Sequence, residues 1–282
     1  MSGTPLKTAG KWGDLGVRSI SAAVLIPAVL LDVWLGGVWF RLFVALIAVL
    51  MAYEWTALAH GNSPVQFALH SAAGLCGAFL PIEAGLTAAL ISVIVLAIVS
   101  IGLVQWQVGE RPFWTLPGVA YAGCSAMALV QLRADQAFGF LAIVWILVVV
   151  WAADSLAYFA GRTIGGPKLA PVISPNKTWA GFGGAMAGAA LASVIFAQFT
   201  GLASPLGLMV LAALLAIVEQ GGDLFKSAFK RHYGVKDTGR LIPGHGGIID
   251  RVDGLVAVAM AAALIGTLRA GADATGRGLL LW

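Results

Sequence analysis

Between Ser227 and Asp253 the chain reads SAFKRHYGVKDTGRLIPGHGGIIDRVD. The stretch gathers Lys230, Arg231, Lys236 and Arg251 with Asp237, Asp250, Asp253, His245 and the glycines Gly246 and Gly247. Just upstream, GGDLFKS adds Asp223 and Lys226. Carboxylate oxygens are hard ligands suited to Mg²⁺, and the chain has no His/Cys cluster with zinc spacing. Carboxylates mixed with ammonium and guanidinium groups around Mg²⁺ are the equipment of phosphoryl-type transfer, where catalysis is mostly positioning and charge neutralisation. The spacing suits a helix. Asp250 and Asp253 are i, i+3, while Asp223 and Ser227, like Lys226 and Lys230, are i, i+4, so each pair shares a face. Glycines beside His245 would let backbone amides approach phosphate oxygens. A solvated basic loop, a helix cap or a turn would explain each feature singly, but not their coincidence.

These groups must be carried by membrane helices. Mean hydropathy is +0.91 and only 11% of the 282 residues are charged, which excludes a soluble domain. Apolar runs of about 20 residues, the length of a bilayer-spanning helix, predict about nine spans. They are 17–35, 37–59, 65–84, 86–105, 113–133, 138–160, 178–200, 202–222 and 253–270. The expected fold class is therefore all-α, a polytopic integral membrane protein with a polar site facing the cytoplasm. The first span follows Lys7, Lys11 and Arg18 and reads as an uncleaved helix rather than a signal peptide. The 36 glycines lie within apolar runs, where small residues let helices approach. Cys76 and Cys124 sit apart in apolar runs and read as packing residues.

With the N-terminus in the cytoplasm, 13 of the 17 Lys and Arg fall on cytoplasmic segments, leaving Arg41, Arg133, Arg269 and Arg277 outside. The positive-inside rule favours this orientation. It sends both long polar segments, about 161–177 and 223–252, to the cytoplasmic face. Asp154 and Glu219 stand inside apolar runs, where a carboxylate is costly unless paired, hydrated or bound to a cation. A helix-end carboxylate reaching the interface is one explanation; convergence of carboxylates from several helices is the other.

The Ser227–Asp253 segment resembles the signature of the phosphatidate cytidylyltransferase (CDP-diacylglycerol synthase) family. Ser227, Lys230, Arg231, Lys236, Asp237, His245, Gly246, Gly247, Asp250, Arg251 and Asp253 fill its fixed positions. Two further blocks are similar to the family, ADSLAYFAGR around Asp154 and ISPNKTWAG around Ser174–Gly181. The likeness is strongest over 150–255; the first half matches mainly in hydropathy. One departure is Ala180, where the family often has an acidic residue.

The resemblance implies that CTP and phosphatidate give CDP-diacylglycerol and pyrophosphate at the headgroup level of the bilayer. It implies Mg²⁺ held by Asp223 and Asp250, with Asp253 and Asp154 in or near its shell, and a second monovalent cation such as K⁺. Lys226, Lys230, Arg231, Lys236 and Lys177 would hold substrate phosphates; Ser174, Thr178 and His245 would hydrogen-bond phosphate or ribose. Asn176, Ser227, Asp237, Gly246 and Gly247 complete the expected binding set. Arg251 would contact substrate or orient a carboxylate. His245 would be a turn residue or a catalytic one, because an ionised phosphate needs no general base.

The whole chain, 1–282, is expected to form one membrane domain. Residues 1–135 would be mainly scaffold with room for a dimer contact; residues 136–282 would carry the catalytic helices and loops. A homodimer in a bacterial inner membrane is the expectation from the family. Rivals are a CTP-dependent lipid kinase, a CDP-alcohol phosphotransferase and a transporter. Asp250-Arg-Val-Asp253-Gly begins like the phosphotransferase motif, but Val258 stands where that motif needs Arg. A transporter would show repeats or broken helices near the midplane. A P-loop is absent.

Overall fold

Apolar runs dictate a bundle of long helices, because in lipid every backbone polar group has to be bonded within the segment. The computed structural model describes residues 26–108, 113–201, 204–239, 241 and 246–282. The short apolar helix α1 (Ile26–Leu35) is followed by α2 (Gly37–Ala59), α3 (Pro64–Glu83), α4 (Leu86–Val108), α5 (Thr115–Ala134) and α6 (Gly139–Thr163). A small hairpin, β1 (Lys168–Ala170) and β2 (Ser174–Thr178), leads into α7 (Trp179–Thr200), α8 (Pro205–His232), α9 (Ile249–Ala270) and the short α10 (Thr275–Leu280).

Eight of the described helices, α2 to α9, are long and apolar enough to cross a membrane. Of the first expected span, residues 17–25 lie outside the described residues and 26–35 form α1. The helix ends are written in the local sequence. Ser63 and Ser204 each precede a proline at the first turn of α3 and α8, and their hydroxyls accept from Gln66 N and Gly207 N. Thr178 does the same for α7, accepting from Gly181 N at 3.1 Å.

Two expectations need correction. Residues 161–177 contain an antiparallel hairpin, pairing Lys168 with Thr178 and Ala170 with Ser174, rather than plain loop. Residues 223–252 are not one polar loop either. α8 runs ten residues past the apolar stretch expected to end at 222, and α9 starts at Ile249, before the expected 253. The reason is amphipathicity. Phe225 and Phe229, at i, i+4, keep one side of α8 apolar while Asp223, Lys226 and Lys230 make its other side polar.

α6 packs on α7, α7 on α8 and α8 on α9; α5 is the shared neighbour of α2, α3, α4 and α9. The α6–α7 approach is close because Gly184 and Gly188 face Leu156 and Ala152 at i, i+4 spacing. Contacts sort the loops onto two ends. At one end Arg41 meets Glu83 at 2.6 Å, Arg133 bonds Val33 O, and Asp135 accepts from Arg277 N. At the other end, the hairpin, residues 233–239 and residues 246–248 surround the polar site. There Trp55 stacks on Phe229 with ring centroids 4.0 Å apart and donates its indole N–H to Trp114 O at 2.9 Å.

Candidate active site

Two adjacent helices supply the centre. Lys226 and Lys230 are one turn apart on α8, and Asp253 and Asp250 are one turn apart on α9. Lys226 Nζ lies 2.6 Å from Asp253 Oδ2, and Lys230 Nζ lies 2.6 Å from Asp250 Oδ1. The result is two parallel ion-pair rungs across the α8–α9 seam. Lys226 also meets Asp223 Oδ1 at 2.9 Å, and Asp223 Oδ2 takes Lys177 of β2 at 2.7 Å. Lys177 donates in addition to Gln220 Oε1 at 2.6 Å, and Gln220 Nε2 donates to Glu219 Oε2 at 2.7 Å. A continuous chain of charge-assisted bonds therefore runs from the hairpin through α8 to α9.

Burial makes these contacts matter. The side chains of Asp250, Lys226 and Asp253 are only 8%, 10% and 11% exposed. Removing one partner of such a pair strands a charge and costs about 3–5 kcal/mol. Asp223 and Asp253 also touch each other, as do Asp154 of α6 and Glu219 of α8. Carboxyls in contact are stable only with a shared proton or a cation. Five carboxyl groups and three ammonium groups thus crowd one end of the bundle, a balance that favours additional positive charge.

The expected residues sort into clear positions. Asp154, Lys177, Asp223, Lys226, Lys230, Asp250 and Asp253 come together. Ser227 is half-buried on α8 between the two lysines. Thr178 is buried as the cap of α7, where its hydroxyl oxygen accepts from Gly181 N. Ser174 pairs with Ala170 in the hairpin, and Asn176 is exposed beside it. Arg231 donates Nε to Ile173 O at 3.4 Å, tying the hairpin to α8. Lys236 and Asp237 are exposed on the 233–239 segment, and Asp237 stands next to Gly246. Arg251 is exposed at the start of α9. His245 lies outside the described residues.

Gly246 has φ +85°, a conformation that suits glycine. The Gly247 amide, expected to face a phosphate, donates inward to Asp250 Oδ2 at 3.4 Å. The same oxygen accepts from Thr238 N at 2.9 Å and Thr238 Oγ1 at 3.2 Å.

Four residues of the site escaped sequence reasoning. Gln220 links Lys177 to Glu219, and Thr238 bonds Asp250. Tyr121 of α5 lies beside Asp253, Asp223 and Asp250, and its hydroxyl is buried without a partner. Glu54 of α2 is 2% exposed and bonds Thr238 Oγ1 at 2.9 Å. Only Glu54 had a readable signal, a lone carboxylate inside an apolar run, the same signal that singled out Asp154 and Glu219.

Beside the rungs, a cavity of about 380 Å³ opens between α1, α2, α5, α6 and α9. Its lining is apolar, including Val33, Val44, Ile47, Leu129 and Trp151, and Arg251 stands at its site end. From Phe40 to Met51 it follows α2 for about 16 Å.

The model of the cytidylyltransferase family matches residues 16–268. A phosphatidate cytidylyltransferase from Brucella abortus is 44% identical over 264 residues, covering 92% of this chain and 96% of the relative. Proteins of the same description from Haemophilus influenzae and Staphylococcus haemolyticus are 33% and 34% identical, covering 85% and 86% of this chain and 94% and 95% of the relatives. The chain belongs to the cytidylyltransferase family.

Proposed function

We propose that this protein transfers the cytidylyl group of CTP to phosphatidate, giving CDP-diacylglycerol and pyrophosphate. A phosphate oxygen of phosphatidate attacks the α-phosphorus of CTP, the α–β phosphoanhydride bond breaks, and pyrophosphate leaves with the electron pair. The observation that carries this reading is the pair of ion-pair rungs at the end of a membrane bundle, next to an apolar cavity. One substrate is soluble and the other is held by its chains in the leaflet, so their phosphates meet only at headgroup level. The cavity is suited to an acyl chain, with Arg251 at the height of the lipid phosphate. Lys177, Lys226 and Lys230 are the groups that would offset the repulsion between two anions.

The donor set is compatible with Mg²⁺. Among the described residues no three carboxylates already converge on one point. Mg²⁺, however, commonly takes one or two carboxylates and completes its shell with phosphate oxygens and water. Asp223 and Asp253, which already share one ammonium group, would hold it, with Asp250 one turn along α9 and Asp154 on the neighbouring α6. Bound there, the ion would neutralise developing charge on the transferring phosphate. Asp250 differs from the other carboxylates, because its Oδ2 is occupied by Thr238 and Gly247. Its main task is to hold Lys230 and the turn before α9. A monovalent cation such as K⁺ would find a place at the touching Asp154 and Glu219 carboxyls.

The positive-inside rule, applied to the loops at the site end, supports a cytoplasmic face for the site, and an inner-membrane location is part of the proposal. A homodimer remains part of the proposal by family membership. Purified protein given phosphatidate and CTP labelled on the α-phosphorus should move the label into lipid. Label arriving only from the γ-position would select a lipid kinase and overturn the reading.

A further inference from the structure

Glu54 belongs to the half of the chain expected to be scaffold, yet its carboxylate is built into the turn that carries the signature. Oε1 accepts from Ile248 N at 2.8 Å; Oε2 accepts from Ile249 N at 3.0 Å and from Thr238 Oγ1 at 2.9 Å. The two amides belong to the first turn of α9, whose N–H groups have no partners within the helix. α9 has no capping side chain of its own at Ile248. A carboxylate from another helix does that work at the positive end of the α9 dipole.

The turn is shaped around this side chain. A Cβ on Gly247 would stand 2.5 Å from Glu54 Oε2, and one on Gly239 would stand 2.5 Å from Oε1. The next residue of α2, Trp55, stacks on Phe229 of α8. Consecutive residues of α2 are thus keyed to the two helices that form the rungs. Thr238 completes the link. Its hydroxyl bonds Glu54, and its amide bonds Asp250 Oδ2, the partner of Lys230.

Burying a carboxylate is costly unless its lone pairs are satisfied, and a scaffold contact could be made more cheaply by apolar groups. We propose that Glu54 is a positioning residue of the transfer reaction: it fixes Thr238 and the 248–249 entry to α9 and, through Thr238, holds Asp250 against Lys230. The activity arm of the test rests on the cytidylyl-transfer reading; the structural arm does not.

Glu54→Gln keeps the shape but can accept on one atom only, so the Ile248 or the Ile249 amide then faces another N–H donor. We expect kcat to fall by about 10²-fold, the scale of a small misplacement at a reaction centre, with the KM for CTP unchanged. Hydrogen exchange should accelerate in peptides spanning 236–252 and stay unchanged in α3, α4 and α7. Thr238→Val should lower kcat in the same way, and Thr238→Ser should restore it. If Glu54→Gln fails to fold, the two Thr238 variants decide. Wild-type kcat in Glu54→Gln or in Thr238→Val, or exchange rising evenly through the bundle, overturns the proposal. Failure of the wild type to label lipid would instead sink the transfer reading, leaving the exchange result to stand by itself.

Discussion

Lys226 reaches across the α8–α9 seam to Asp253 at 2.6 Å while also holding Asp223 at 2.9 Å. One ammonium group therefore bridges two carboxylates that touch each other. Replacing it with Met leaves Asp253 buried without its ammonium partner, at a cost of about 3–5 kcal/mol, while Asp223 keeps Lys177. Lys226→Met should lower the thermal midpoint in detergent and reduce transfer by at least 10²-fold. Lys226→Arg keeps the charge and should preserve the fold while losing much of the rate.

Lys230 and Asp250 form the outer rung, 2.6 Å apart. Their contributions should not add. In a double-mutant cycle, Lys230→Met with Asp250→Asn should show coupling of about 1–3 kcal/mol in transition-state free energy, because each substitution strands the other group. Additive effects would mean that the rung does not act as a unit.

Thr178 accepts from Gly181 N and caps α7. Thr178→Ala should cost about 1 kcal/mol of stability and change rate only modestly, whereas Thr178→Ser should match the wild type. A large rise in the KM for CTP in Thr178→Ala, with stability intact, would assign the hydroxyl to substrate instead.

Ile47 lines the apolar cavity between α2 and α5. Ile47→Phe narrows it and should raise the KM for phosphatidate several-fold without changing the KM for CTP. Equal effects on both substrates would separate the cavity from lipid binding.

Membrane orientation is open to direct measurement. A cysteine at exposed Lys236 should react with an impermeant maleimide only in inside-out vesicles, and one at Asp273 only in intact spheroplasts.

Much of this architecture was legible because apolar run length maps directly onto spanning helices. Seven of the predicted spans fall close to α2–α7 and α9. The eighth stopped short because hydropathy ends at 222, although Phe225 and Phe229 continue an apolar face along α8 to His232. The cluster of Asp223, Lys226, Lys230, Asp250 and Asp253 was visible from i, i+3 and i, i+4 spacing. What spacing could not show is which side chain meets which across the seam. Thr238 and Gln220 are ordinary polar residues in sequence and acquire their places only through tertiary contacts. Glu54 carried a signal, but its partners lie 184 to 195 residues away. The inward turn of the Gly247 amide was equally hidden, because it depends on where Asp250 points.

The most direct measurement is the rate at which α-labelled CTP marks phosphatidate in Asp223→Asn compared with wild type, at equal amounts of folded protein. Loss of at least 10²-fold, with CTP still bound, is the predicted result. Wild-type labelling by Asp223→Asn would show that the α8–α9 carboxylates are not the place where nucleotide and lipid are joined.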